Sequence, residues 1–307
     1  MFARKTSPST DPRLRSLLQK AVRRGYPKVV GQTAMALERK GDSAWLRARS
    51  IVITFEECWP LASKLDVNKT LDSKIHALVS VARSIKFKDA GSLGALAYAH
   101  SAGDNSVLAL ADETGPIRLV AEAIKRPGAF FEWCNKNCTS QVQLDIVRAA
   151  RRYLGSAGWA WDKACILAAA YLASAATPPQ VIEINTDEQD FPYWVALDKH
   201  TPQGKNALRS IAREVKKPYR QLLWASFYFE SALVTESGPS PWWEVERLWR
   251  LRKAGLSVDE AKLLWESVLK KMQDLLALDA IDLKTVVEYE TGSYDKVGPQ
   301  GDLRLVS

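Results

Sequence analysis

A chain of 307 residues with 47% hydrophobic and 25% charged residues has the composition of a globular protein, with room for one large or two ordinary domains. No apolar run reaches the ~20 residues of a membrane span, and the first residues lack the apolar segment of a secretory signal. Four cysteines are too few for a disulfide scaffold. We therefore expect a cytoplasmic protein with reduced thiols and no membrane contact.

The net charge of +8 is concentrated at one end of the chain. Residues 1–50 contain twelve Lys or Arg and three Asp or Glu, whereas the remainder contains 31 basic and 32 acidic residues. A local basic patch is typical of a protein that binds a polyanion, because neutralising phosphates releases counterions. We expect a nucleic acid partner, with DNA favoured. The alternative is a solvated helix face that is basic without a ligand.

The first predicted helix follows a basic, flexible N-terminus of residues 1–12. Asp11 is a candidate N-cap before Pro12, and Gly25 ends the helix. Its apolar residues recur at helical spacing and form one face: Leu14, Leu17, Leu18, Ala21 and Val22. Cations off this face are expected to point to solvent or to a ligand. With basic residues of the next two helices they form the candidate nucleic-acid surface: Arg13, Arg15, Lys20, Arg23, Arg24, Lys28, Arg47 and Arg49.

The third predicted helix contains IVITFEE, an apolar run before two carboxylates that is also typical of a Walker B strand. A Walker B reading requires a phosphate-binding loop of the G-x-x-x-x-G-K-[ST] type. No such loop occurs, since the one Gly-Lys pair, Gly204-Lys205, is followed by asparagine. The window from Trp45 to Trp59 has helical spacing and favours a helix over a strand. Glu56 and Glu57 are therefore predicted to pair with nearby arginine or with a neighbouring subunit and not to hold Mg²⁺.

Helical patterns continue along the chain, and the sequence predicts an all-α multi-helix array or bundle. The segment TPPQVIEINTDEQDFP contains prolines and acidic residues, which indicates a loop with one short strand at most. We expect two helical subdomains, 13–176 and 193–290, joined by this loop at 177–192 and followed by a flexible tail at 291–307. The predicted later helices are 71–85, 92–101, 117–125, 140–154, 161–175, 203–214, 219–235, 240–255 and 257–278.

Residues 13–101 resemble a known family. LRSLLQKAVRRG, AMALERKGDSAWLRARSIVITFEECWPLA and KIHALVSVARSIKFKDAGSLGALAYAH look like the C-terminal helical region of the clamp-loader-like RarA/MgsA replication-associated recombination ATPases. Gly41-Asp42 matches the turn, Glu56-Glu57 the acidic pair, and Lys86 or Lys88 the lysine. The resemblance implies an oligomerisation collar without the nucleotide-binding ATPase domain.

The resemblance also implies partners among replication and recombination proteins and self-association of the chain. Large apolar groups in this region suit either a core or an interface between copies: Trp45, Phe55 and Trp59.

A second candidate site lies at the loop before the helix at 203–214. Lys199, His200, Thr201 and Lys205 stand near a helix N-terminus, where a phosphate or another anion is stabilised. Asp198 and His200 could instead act as an acid–base pair. The third reading is structural, because Asp and Thr in a loop often cap the following helix.

Other patterns give weaker indications. Trp242, Trp243, Trp249 and Trp265 accompany several arginines, which fits either base stacking or a core with cation–π neighbours. Cys134 and Cys138 have a C-x-x-x-C spacing but no further zinc ligands nearby. We predict no metal, no cofactor and no catalytic residue.

Three functional hypotheses follow from the sequence. The first is a non-enzymatic DNA-binding protein of replication or recombination, possible in a mobile element or phage. The second is a protein-interaction scaffold without nucleic acid. The third is an enzyme centred on Asp198 and His200.

Overall fold

The computed structural model describes residues 11–66, 70–186 and 190–292, together with the backbone of two short strands beyond them. The predicted all-α class is confirmed. The strands, Tyr294–Asp295 and Arg304–Leu305, pair antiparallel. The α-helices of the described residues are α1 Pro12–Arg23, α2 Pro27–Arg39, α3 Ser43–Cys58, α4 Leu71–Ala82, α5 Asp89–Ser101, α6 Gly115–Lys125, α7 Pro127–Asn137, α8 Gln141–Tyr153, α9 Ala160–Ala175, α10 Pro202–Glu214, α11 Tyr219–Ser226, α12 Pro241–Lys253 and α13 Val258–Thr291.

Helix ends follow local capping chemistry. The Asp11 carboxylate accepts a hydrogen bond from the Arg13 amide, with Pro12 in the first turn, as predicted for α1. Ser257 and Glu260 form the predicted capping box that begins α13. This helix extends past the predicted end at 278 because no glycine or proline interrupts it before Gly292, whose φ of 69° gives a left-handed C-cap.

Helix α3 contains the β-branched run Ile51–Thr54, which is helical as the longer window predicts. The side-chain hydroxyls of Ser50 and Thr54 donate to backbone oxygens one turn earlier, at 2.6 and 3.0 Å. Residues on every side of this stretch are buried, so tertiary packing overrides the local strand preference.

Helix α7 was not predicted from the sequence. Its first residues, Pro127-Gly128, are typical of a turn, yet proline is well tolerated in the first turn of a helix because its missing N–H would be unpaired there. The helix predicted at 219–235 comprises α11 and a π-helical turn that continues it, Phe227–Ser231.

The two predicted subdomains share one hydrophobic core. A single cluster of buried apolar residues runs from Leu14 to Val287. Helices α1 and α2 pack against α13, and α5 packs against both α9 and α12. The boundary predicted at 177–192 therefore does not separate two cores.

The connection at 177–192 is tied to the rest of the chain by backbone hydrogen bonds. Ile85 N donates to Ile182 O at 3.0 Å, and Ile184 N donates to Arg83 O at 2.7 Å. The predicted short strand is limited here to one bridge between Ser84 and Glu183. Residues 187–189, most of 1–12 and most of the tail after 292 lie outside the described residues.

In the described part of the chain, no helix has both the length and the apolar character that a membrane span requires.

Candidate functional site

A cleft of about 830 Å³ lies between α1, α3, the start of α9, the loop before α10, and the α11–α12 region. The polar face of α1 lines one wall of the cleft. Its polar residues recur every three or four positions and so share the side of the helix opposite the buried apolar face. Helix α3 presents Trp45, Arg49 and Glu56 in the same manner. Both sequence-predicted sites meet here: Arg15, Lys20, Arg23 and Arg49 from the basic segment, and Lys199, His200 and Lys205 from the anion loop.

Two buried cations of α1 form the floor. Lys20 and Arg23 are each 2% exposed, so of the two expected environments, solvent or a ligand, these side chains do not occupy the first. The Lys20 ammonium lies 2.6 Å from Asp198 Oδ2. Burial would raise the pKa of Asp198, but the charges of Lys20 and His200 hold it well below its ordinary value. Asp198 is thus an ionised structural partner of α1.

The acidic pair of α3 has two different environments. Glu57 is fully buried, and its Oε1 accepts from Arg23 Nε at 2.8 Å and Nη2 at 2.6 Å. Glu56 faces the cleft and accepts from Gln19 and from Arg49 Nη2 at 3.0 Å. The prediction that these carboxylates pair with arginine is confirmed.

Glu57 also compensates a buried lysine. Its Oε2 has no hydrogen-bond donor among the described residues and lies 3.6 Å from Lys88 Nζ. The Lys88 amine stands 4.3 Å from the centre of the Trp243 ring. Burial lowers the pKa of Lys88 to about 8. Although burial alone would raise the pKa of Glu57, Arg23 and Lys88 lower it to about 2. One carboxylate therefore faces two buried cations.

The basic N-terminal segment is largely neutralised within the chain. Arg13 pairs with Asp11 and Asp282, and Arg24 with Glu230. Arg15 makes a bidentate contact with Asp42 at 2.8 and 2.7 Å. Among the described residues, much of the positive charge of this segment is therefore paired with acids of the same chain. Lys28 and Arg47 are exposed but lie outside the cleft.

Five of the seven Lys and Arg side chains lining the cleft have carboxylate partners. Lys199 and Lys205 are the exceptions among the described residues, with no carboxylate within 4.0 Å. Lys205 is exposed at the start of α10. Lys199 Nζ lies over two aromatic faces, 4.1 Å from the ring centre of Trp224 and 3.8 Å from that of Phe227.

The loop before α10 has a structural role as well. Thr201 is fully buried, and its hydroxyl accepts from Gly204 N at 3.1 Å and donates to Asp198 O at 3.0 Å. Thr201 is therefore the cap of α10 and does not line the cleft. Gly204 is required here because a Cβ would lie 2.3 Å from Leu197 O.

Aromatic side chains cover much of the cleft. Arg15 lies 4.9 Å from the Trp45 ring centre, and Arg250 lies 4.9 and 4.5 Å from those of Trp161 and Trp224. Trp159 stands at the rim with 76% of its surface exposed. The aromatic residues that line the cleft were not predicted from the sequence: Trp159, Trp161, Trp224 and Phe227. Apart from the pair of tryptophans after Gly158, nothing in their spacing indicates a shared site.

Several predicted candidates lie in the core instead. Phe55 and Trp59 are 0% and 5% exposed, so the core alternative holds for both, and only Trp45 remains a candidate for contact between copies. Trp249 and Trp265 are also buried. Among the described residues, no group of three or more His, Cys, Asp or Glu side chains is arranged to hold a metal ion.

No protein family, curated protein or solved structure matches this chain.

Proposed function

We propose that the protein is a non-enzymatic nucleic-acid-binding protein that holds a single-stranded segment, with DNA favoured, in the cleft between α1, α3 and α10–α12. One observation carries this proposal: Lys199 and Lys205 have no carboxylate partner in the described part of the chain, and they line a cleft walled by tryptophan. Amines attract phosphates, and aromatic faces stack on unpaired bases. The two together fit a nucleotide better than a purely apolar or a purely cationic ligand.

The small number of free amines limits the electrostatic contribution. For single strands, the logarithm of the binding constant falls with the logarithm of salt concentration by about 0.7 for each neutralised phosphate. Lys205 predicts a slope of about −0.7, and Lys199 adds up to the same amount where its amine is charged, which gives about −1.4 at most. If all eight cations of the predicted basic surface contacted phosphates, the slope would be roughly −6. Internal ion pairing of Arg13, Arg15 and Arg24 supports the shallower value.

A replication or recombination role rests on the collar resemblance of residues 13–101. This segment supplies α1 and α3, and hence one wall of the cleft. We place strand binding within that context, with replication and recombination proteins as the class of macromolecular partner.

Charge reversal at Lys205 tests the proposed contact. We expect Lys205→Glu to weaken binding of a fluorescein-labelled oligo(dT) by roughly 10- to 150-fold, since a charge-assisted phosphate contact is worth roughly 1.5–3 kcal/mol. The measurement is fluorescence anisotropy at two salt concentrations. Lys136→Glu is the matched control, because Lys136 is also an exposed helical lysine but lies outside the cleft. Equal weakening by both variants would sink the assignment of the cleft.

Removal of the rim tryptophan tests base stacking. We expect Trp159→Ala to reduce single-strand affinity by about 1–3 kcal/mol, the usual contribution of one stacked base. Its exposure means that thermal stability should stay close to that of the wild type. Tyr289→Ala is the control, since Tyr289 is 63% exposed on α13 and does not line the cleft. Unaltered affinity of Trp159→Ala would argue against stacking at the rim.

A further inference from the structure

The amine of Lys199 has the surroundings of a nucleophile. Its Nζ rests against Trp224 and Phe227 at 4.1 and 3.8 Å, and no carboxylate lies within 4.0 Å among the described residues. Arg250 is stacked on the same Trp224 ring at 4.5 Å and brings a second positive charge to this wall. Lys199 lines the 830 Å³ cleft, so a ligand there can reach it.

Burial and the nearby positive charge of Arg250 disfavour the charged form of the amine. Burial lowers the pKa of Lys199, and the charge of Arg250 lowers it further, to about 7 against an ordinary 10.5. A substantial fraction of neutral amine is therefore present at neutral pH. Desolvation and a neighbouring cation are the two devices that activate lysines for attack on carbonyl groups.

His200 lines the same cleft and supplies a side chain that can take part in the proton transfers of such an attack. Its Nδ1 lies 3.0 Å from each carboxylate oxygen of Asp198. Because Asp198 is ionised and bonded to Lys20, we assign the proton to Nδ1, which leaves Nε2 to accept a proton. The side chain of His200 is 60% exposed and lines the cleft beside Lys199.

We propose that Lys199 forms a reversible imine with a phosphate-bearing aldehyde bound in the cleft. The Nζ lone pair attacks the carbonyl carbon, and the proton lost from nitrogen passes through His200 to give a carbinolamine. Loss of its hydroxyl as water then forms the C=N bond, so one amine and one aldehyde give one imine and one water. Lys205 is the phosphate partner. No redox step is needed.

The aldehyde has two possible sources, and one depends on the proposed function. In a nucleic acid it is the ring-opened sugar at a position that has lost its base, which would be delivered by single-strand binding. In a free small molecule it is an aldehyde that carries its own phosphate. Both present the same groups to Lys199 and Lys205.

Reductive trapping tests the imine. The full chain is incubated with a single-stranded oligonucleotide that contains one base-free position, or with pyridoxal 5′-phosphate, and then reduced with sodium borohydride. We expect a covalent adduct whose tryptic peptide carries the modification at Lys199. Lys199→Arg, which keeps the charge, and Lys199→Met should both lose this adduct, whereas Lys136→Arg should retain it. Circular dichroism confirms that each variant is folded.

The outcomes separate the two proposals. No adduct at Lys199 with either probe overturns the imine, even when an intact oligonucleotide binds in the anisotropy assay. If pyridoxal phosphate gives an adduct and oligonucleotides neither bind nor give one, the imine is supported and the nucleic-acid function is ruled out. Equal trapping in the wild type and in Lys199→Met also overturns the assignment.

Discussion

Replacing Glu57 by glutamine is expected to lower the free energy of unfolding by about 3–5 kcal/mol, the usual result of removing one partner from a buried ion pair. Glu57 is fully buried and is the carboxylate that faces both Arg23 and Lys88. Glutamine keeps the shape and one acceptor but removes the negative charge beside Lys88, and it leaves Arg23 with the longer contact to Glu56, 3.1 Å from its Nη2. Chemical denaturation monitored by tryptophan fluorescence measures the change.

Glu56→Gln is the matched control, because Glu56 is the neighbouring acid but its side chain is 23% exposed to the cleft. Glu56→Gln should lower the free energy of unfolding by clearly less than Glu57→Gln does. Equal destabilisation by the two substitutions would contradict the assignment of Glu57 as the central charge of the floor.

The effect of Glu57→Gln should depend on pH. The folded-state pKa of Glu57 is about 2, below its ordinary 4.5. A carboxyl group with a lowered pKa contributes stability that is complete above the unfolded value and is lost as the pH falls towards the folded value. The difference between wild type and Glu57→Gln should thus be constant from pH 7 to about 5 and shrink below pH 4.5. A difference that grew on acidification would have the wrong sign.

Substitution of Gly94 by alanine is expected to destabilise the fold by about 3 kcal/mol, at the upper end of ordinary overpacking. Gly94 lies in α5 where it crosses α9, and a Cβ there would stand 2.6 Å from Cys165 N and 2.7 Å from Ala164 C. Both contacts are with backbone, so a side-chain rotation cannot relieve them. The two helices would have to separate, and the core that they share would open.

Gly128→Ala provides the control for Gly94→Ala. Gly128 lies in α7, and a Cβ there would meet nothing within 4 Å. Alanine should stabilise this helix by about 0.4–1 kcal/mol, because it restricts the unfolded chain. Thermal unfolding followed by circular dichroism compares the two. A neutral Gly94→Ala would contradict the close α5–α9 crossing.

The fold class could be predicted from the sequence because it rests on local signals. The apolar spacing of α1, the cap at Asp11 and the box at Ser257 act within a few residues of each other. The burial and ion pairing of the basic segment could not be predicted from local signals. Lys20 pairs with Asp198, which is 178 positions away, so its burial depends on tertiary structure alone.

The candidate site shows the same division. The sequence identified Lys199, His200 and Lys205 as an unusual cluster and Arg15 and Arg49 as cations, but it did not indicate that they share one cleft. Trp159, just before α9, and Trp224, in α11, complete the walls from parts of the chain that are far apart in sequence. The shared core brings these groups together, because α1 and α11 both pack on α13 and α3 and α12 both pack on α5. Helical spacing carries no information about that packing.

Photo-crosslinking tests the central claim most directly. A single-stranded oligonucleotide that contains iodouracil is bound to the full chain, irradiated, digested and mapped by mass spectrometry. Binding in the cleft predicts attachment to the peptides that contain Trp159, Trp161 or Trp224, with attachment at Trp159 lost in Trp159→Ala. Attachment confined to surfaces outside the cleft, such as those of Lys28, Arg47 or α7, would contradict the account, as would the absence of any attachment at protein concentrations that saturate an anisotropy titration.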